Sequence, residues 1–190
     1  MANPRPLRAD AARNREKLLA AATQLFGERG LDVPLEHIAR RAEVSIGTLY
    51  AHFPTRDTFF EAIFPERLTE LATLGERALA DPDPWHGFVG YLEGVFALHA
   101  RDRGLNEVLV RDLPNARGVV ESCHTGAGHA AELVRRARES GRLRADYTTG
   151  DVATLTRAMA QVIRDSLDTD PTEWRRFLAI YLAGLQSTST

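Results

Sequence analysis

Only one cysteine, Cys123, occurs in the 190 residues. That excludes an intrachain disulfide framework and a four-thiolate zinc site. No run of 18 apolar residues is present, so no helix is expected to span a bilayer and no membrane partner is expected. The stretch from Met1 to Leu18 is polar and basic with no apolar segment, so no secretory leader is expected and a cytoplasmic setting is. A whole-chain excess of positive charge is also missing: the formal net charge is -2. Any nucleic-acid site must therefore be local. No HExxH, P-loop, GxSxG or dinucleotide fingerprint occurs, which argues against an enzyme and leaves no cofactor to expect.

What is present is helical patterning in a chain with 44% apolar and 26% charged residues, an ordinary globular balance. The charge is uneven. Residues 1–60 hold nine Arg or Lys against seven Asp or Glu, so the excess of acid lies in the remainder. Residues 1–9, with Pro4 and Pro6, read as a basic arm. A helix is expected from about Ala11 to Arg29, with Leu18, Leu19, Ala22, Leu25 and Phe26 on one face and Gly30 as its C-cap. Two very short helices follow, about Leu35–Ala42 and Ile46–His52, the second capped by Ser45 and stopped before Pro54.

The remainder reads as further helices. One runs from Arg56 to about Ala80, and one opens at Asp83-Pro84 and ends near Gly104. A short or irregular one covers Leu105–Leu113. A longer one, about Ala116–Ser140, contains the poor helix formers Thr125–Gly128, which predict a bend or break. Two final helices have capping boxes at Thr148/Asp151 and Asp170/Glu173. The expected fold is all-α, with an N-terminal three-helix helix-turn-helix unit (1–54) joined to a helical regulatory and dimerisation unit (55–190).

The segment from Ile38 to Phe53 carries the chemistry. Helices this short gain too little from their own hydrogen bonds to stand alone. Ile38, Ala42, Val44, Leu49 and Phe53 can pack against the first helix, leaving Gly47, Thr48, Tyr50 and His52 outward. A short helix presented in this way fits a major groove. Gly47 lets the backbone approach DNA, and Thr48 can meet a base edge or a thymine methyl. Tyr50 and His52 can reach phosphates. Ser45 caps the helix, whose first amides can also meet a phosphate. Arg56 is expected as a backbone contact, and Arg5 and Arg8 as phosphate or minor-groove contacts.

This stretch resembles the signature of the TetR family of bacterial regulators over roughly Arg15 to Phe64. The matching features are Leu25-Phe26, Gly30, Ile38-Ala39, Ala42, Val44-Ser45, Gly47-Thr48-Leu49-Tyr50 and His52-Phe53, with a basic residue near the next helix start. The departures are Val33-Pro34 in place of a Ser or Thr cap, a connection from Gly30 to Ile38 one residue short, Glu43 where the turn commonly has Gly, and Arg56 in place of Lys. If the turn needs positive φ, Glu43 is strained. The resemblance implies a regulator that binds a double-stranded palindromic operator as a homodimer and is released by a small-molecule effector. An activator of the same fold and a helical protein-binding module without DNA activity are the alternatives.

The same resemblance places a dimer seam on the last two helices, with Leu155, Val162, Trp174, Phe177, Leu178 and Tyr181 as candidates; Met159 lies on the same stripe. A ligand pocket is expected in the middle helices. Phe88, Leu92, Phe96 and Met159, with Phe64 and Leu68, offer apolar walls, and Tyr91, His99, Cys123 and His124 offer polar handles. No metal site is expected. Cys123 and His124 are adjacent and so diverge on a helix, and His124 and His129 are five apart, a poor zinc spacing.

Overall fold

The computed structural model describes residues 4–111, 113 and 115–187, with side chains described from residue 9 onward. Nine helices are found among the described residues: α1 (Pro4–Arg29), α2 (Leu35–Arg41), α3 (Ile46–His52), α4 (Arg56–Leu79), α5 (Pro84–Arg101), α6 (Arg103–Val108), α7 (Arg117–Glu139), α8 (Thr149–Ser166) and α9 (Glu173–Ala183). Extended pairing among these residues is limited to one isolated bridge between Leu143 and Gln186. The fold is therefore all-α, as the periodicity predicts.

Helix starts follow local chemistry. Ser45 accepts from the Thr48 amide, and Asp83 accepts from the amides of Trp85 and His86. Thr148 and Asp151 cap each other reciprocally. These side chains satisfy amides that the first turn of a helix leaves without partners. The expected box at Asp170 does not form. Asp170 instead accepts from the amide and hydroxyl of Thr172, and α9 begins two residues later than expected, at Glu173, without a side-chain cap.

Other boundaries move for equally local reasons. Helix α1 begins at Pro4 rather than near Ala11; a first turn has no internal use for the amide that proline lacks. Asp102 ends α5 and caps α6 by accepting from Leu105, so Gly104 lies inside α6. There a side chain would not fit, because a Cβ on Gly104 would lie 2.9 Å from the Phe26 carbonyl oxygen of α1. Helix α7 runs unbroken through Thr125–Gly128.

The hydrophobic core is continuous from α1 to α9. Phe26 sits 5.6–6.4 Å, ring to ring, from Phe59, Phe60 and Phe64 of α4, and Phe53 stacks on Phe59 at 3.9 Å. Full burial of one such ring contributes roughly 1.5–3 kcal/mol. Helix α4 thus completes the core of α1–α3. It then lies along α7 and α5, carrying the chain from one end of the molecule to the other. No helix among the described residues is long and apolar enough to cross a membrane.

Candidate nucleic-acid interface and effector cavity

Helices α2 and α3 meet through a turn in which Glu43 adopts φ +56°. Its left-handed backbone is the strained state that its sequence position suggests. Ile38, Ala39, Ala42, Leu49 and Phe53 are buried beneath this turn against α1. Helical geometry then decides the outer face: Gly47 and Tyr50 are exposed, and Thr48 and His52 are partly so. Ser45 holds the first turn through the Thr48 amide at 3.1 Å and the Thr48 hydroxyl at 2.8 Å. The Thr48 side chain is therefore oriented before any ligand arrives. Arg41 is drawn back onto α1 by Gln24, while Arg40 stays exposed. Arg8 lies in α1, with its side chain outside the described residues.

Arg56 needs a correction. Its guanidinium donates to the carbonyl oxygens of Leu31 and Val33, the latter at 2.8 Å, and is partly buried. Those carbonyls belong to the loop between α1 and α2, where Gly30 at φ +81° turns the chain. Arg56 thus braces the protein, with its Nη1 turned inward onto two carbonyls.

The same loop is held from the other side by α6. The Leu31 amide donates to the Glu107 carboxylate at 2.9 Å. Arg111 grips Asp32 with two hydrogen bonds of 3.0 and 2.9 Å. The Arg111 guanidinium beside Asp32 lowers the Asp32 carboxyl below the usual carboxylate range. Arg67 of α4 adds a further tie, donating to Asp102 and to the Thr23 carbonyl of α1.

A cavity of about 480 Å³ opens between α5, α7 and α8, with α6 and the turn after it as one wall. Tyr91, His99, Cys123 and His124 line it, as the sequence suggests. Phe88, Leu92, Phe96 and Met159 do not, and these assignments are corrected. The reason is the helical repeat. Tyr91, Val95 and His99 form one stripe of α5, whereas Phe88, Leu92 and Phe96 form the next stripe and fill the interior. Phe88 packs on Trp85 and Tyr147, and Met159 is fully buried. Phe64 and Leu68 are likewise interior. Sequence patterning missed Leu71, Val95, Val108 and Val152 as cavity walls; for Val95 the signal available was its place four residues from both Tyr91 and His99. Burial pushes the Cys123 thiol above its ordinary pKa, which disfavours a reactive thiolate.

His99 is fully buried, and desolvation lowers its pKa from 6.5 to about 4, against a smaller opposing effect of its hydrogen bond to Asn106. Between these values the unfolded chain binds the extra proton. The stabilisation from a neutral His99 is present above pH 6.5 and is lost as pH falls toward 4. Acidification from pH 7 to 5 is expected to cost about 2 kcal/mol through this group alone. Denaturant unfolding at the two pH values should show that difference in the wild type, and His99→Gln should remove most of it.

The dimer candidates divide. Leu155, Trp174 and Leu178 are buried within the protomer, so their assignment to a seam is corrected. They anchor α8 and α9 to α5. Val162 and Tyr181 are partly buried, the Tyr181 hydroxyl meeting that of Tyr147 at 3.4 Å. Phe177 stays 41% exposed, and Ile180, which the sequence patterning missed, 66%. The step of three from Phe177 to Ile180 was the available signal.

Comparison with known proteins adds independent support. Residues 18–63 match the family described as bacterial regulatory proteins, tetR family, and residues 83–187 match the C-terminal domain described as transcriptional regulator SbtR-like. The HTH-type transcriptional regulator UidR of Escherichia coli K12 is 26% identical over 161 residues, spanning 78% of this chain and 79% of the relative. The TetR transcriptional regulator SCO0520 of Streptomyces coelicolor is 29% identical, with a TM-score of 0.56 over 92% of this chain and 99% of that one. The ketosteroid transcriptional regulator KstR2 of Mycobacterium tuberculosis, at 20% identity, shares the fold, with a TM-score of 0.67 over 92% and 95% of the two chains. Two family matches that together run from α1 to beyond α9, on a fold with an outward α3, establish that the chain belongs to the TetR family of DNA-binding transcriptional regulators.

Proposed function

We propose that this regulator is a repressor. It binds a palindromic operator as a dimer and is released when a small, largely apolar molecule fills the cavity. Residues 1–54 read DNA, residues 55–190 dimerise and sense the effector, and the protein acts in the cytoplasm. No catalytic step belongs to this reading. The observation that carries it is the outer face of α3: Gly47 and Tyr50 exposed beside an oriented Thr48, above a buried Leu49.

In this reading Thr48 meets a base edge, and Tyr50 and His52 meet phosphates on either side of the groove. Ser45 and Gly47 let the first turn of α3 come close. Two copies of α3 in a dimer would address half-sites about 34–36 Å apart, one helical turn. Selection from a random duplex pool tests this directly and should return an inverted repeat. Tyr50→Phe should weaken all duplexes alike and leave the salt dependence unchanged, because the lost hydroxyl is neutral. Thr48→Val should instead change base preference. If base preference stays the same, direct readout at Thr48 is excluded.

Release follows from the α6 wall. Val108, Leu109, Val110, Arg111 and Leu113 border the cavity, and Glu107 and Arg111 of the same segment hold Leu31 and Asp32 at the base of the DNA-reading helices. An effector that binds the displaced position of this segment more tightly shifts the population away from the DNA-bound geometry.

A further inference from the structure

One polar side chain on the cavity wall, His99, defines the ligand. The Ala160 carbonyl can only accept, so the Asn106 amide presents its NH2 to it at 3.0 Å. That fixes the Asn106 Oδ1 toward His99, whose Nδ1 lies 2.8 Å away and must donate. A neutral imidazole carries one proton, so Nε2 is left with a bare lone pair. This Nε2 is buried and has no hydrogen-bond partner among the described residues, on a side chain that borders the cavity.

Three hydroxyls of the lining have also spent their protons on the protein. Tyr91 donates to the Gly126 carbonyl at 3.2 Å, Ser122 to Gly118 and Thr156 to Val152. Each of these hydroxyl oxygens keeps acceptor lone pairs. Of the cationic residues of the lining, Arg111 pairs with Asp32, and Arg157 donates to the neutral Thr154 hydroxyl. Burial holds His99 neutral near pH 7, so it does not become a donor there.

We infer that the cavity selects an uncharged, largely apolar molecule carrying a hydroxyl or N–H that donates to His99 Nε2, a phenol or alcohol rather than a carboxylate. The inference rests on the effector reading only for its biological consequence, since it concerns binding. A buried acceptor left unmet is costly, so a ligand without a donor loses affinity where a shape-matched donor gains it. A carboxylate would set its own lone pairs against those of the imidazole and would also lose its hydration.

Three probes of similar shape test this on the full chain: 4-butylphenol, its methyl ether 4-butylanisole, and 4-butylbenzoate. Calorimetry should show the phenol binding about tenfold or more tightly than the ether, with no measurable heat from the benzoate. His99→Phe should bring the phenol down to the level of the ether and leave the ether unchanged. A second measurement needs no variant. The imidazole nitrogen spectrum of wild type should show Nε2 unprotonated, and the phenol alone should shift it. A protonated Nε2, an ether or benzoate that binds as well as the phenol, or silence from all three overturns the inference. DNA release is read separately. A phenol that binds without releasing duplex leaves the inference standing and removes the effector reading; a donor-free molecule that releases duplex does the reverse.

Discussion

Ile180→Asp is expected to convert the proposed dimer into a folded monomer. Ile180 is the most exposed large apolar side chain of α9, and Phe177 stands one turn before it on the same face. The inner face of that helix is anchored by Trp174, Leu178 and Leu182. The substitution therefore leaves the protomer core untouched. In a twofold dimer the same change occurs twice, and each copy buries a carboxylate against an apolar seam. Two central positions lost at roughly 2 kcal/mol each weaken association by about a thousandfold. Sedimentation at micromolar concentration should show monomer with unchanged helical content, and the thermal midpoint should fall only by the lost association and cease to depend on concentration. Operator affinity should fall with it, because one α3 reads a single half-site. A variant that stays dimeric would move the seam away from α9.

Gly47→Ala is expected to separate stability from DNA binding. A Cβ at this position would meet only the Ser45 hydroxyl, at 3.9 Å, so the protein itself has room for it. Alanine also favours a helix over glycine by up to about 1 kcal/mol. The fold should be as stable as wild type or more so. The added methyl nonetheless stands where the first turn of α3 would approach the duplex. A cost of about 2 kcal/mol, roughly thirtyfold in operator affinity, is expected by comparison with a mismatched base pair. Denaturant unfolding and fluorescence anisotropy on the same preparation give both numbers. Unchanged affinity would mean that α3 does not sit with its N-terminal turn in the groove.

Much of the fold was legible because the relevant forces are local. Ser45, Asp83 and the Thr148/Asp151 pair cap helices through partners within three residues. The strain at Glu43 follows from the length of one turn. The Asp170 box failed at the same range, because a carboxylate beside Thr172 had a nearer amide to accept from. The site was legible only in part. In sequence Arg56 points to a DNA contact, because a guanidinium at a helix start suits phosphate. Its actual partners, the carbonyls of Leu31 and Val33, lie more than 20 positions away and become available only once Gly30 has turned the loop. On α5 the two stripes Tyr91/Val95/His99 and Phe88/Leu92/Phe96 are equally apolar in pattern. Which one faces the cavity depends on where α7 and α8 lie, and no local signal records that.

The ties from Leu31 to Glu107 and from Asp32 to Arg111 bear on how far this molecule is modular. Its reading head is not a plug-in part. A chimera that fuses residues 1–54 to a foreign sensor would strand the Leu31 amide and the Asp32 carboxylate, and would strip Phe26 of its α4 neighbours. Grafting that preserves operator choice has to carry Arg56 to Phe64 and the segment from Asp102 to Arg111 along with the head.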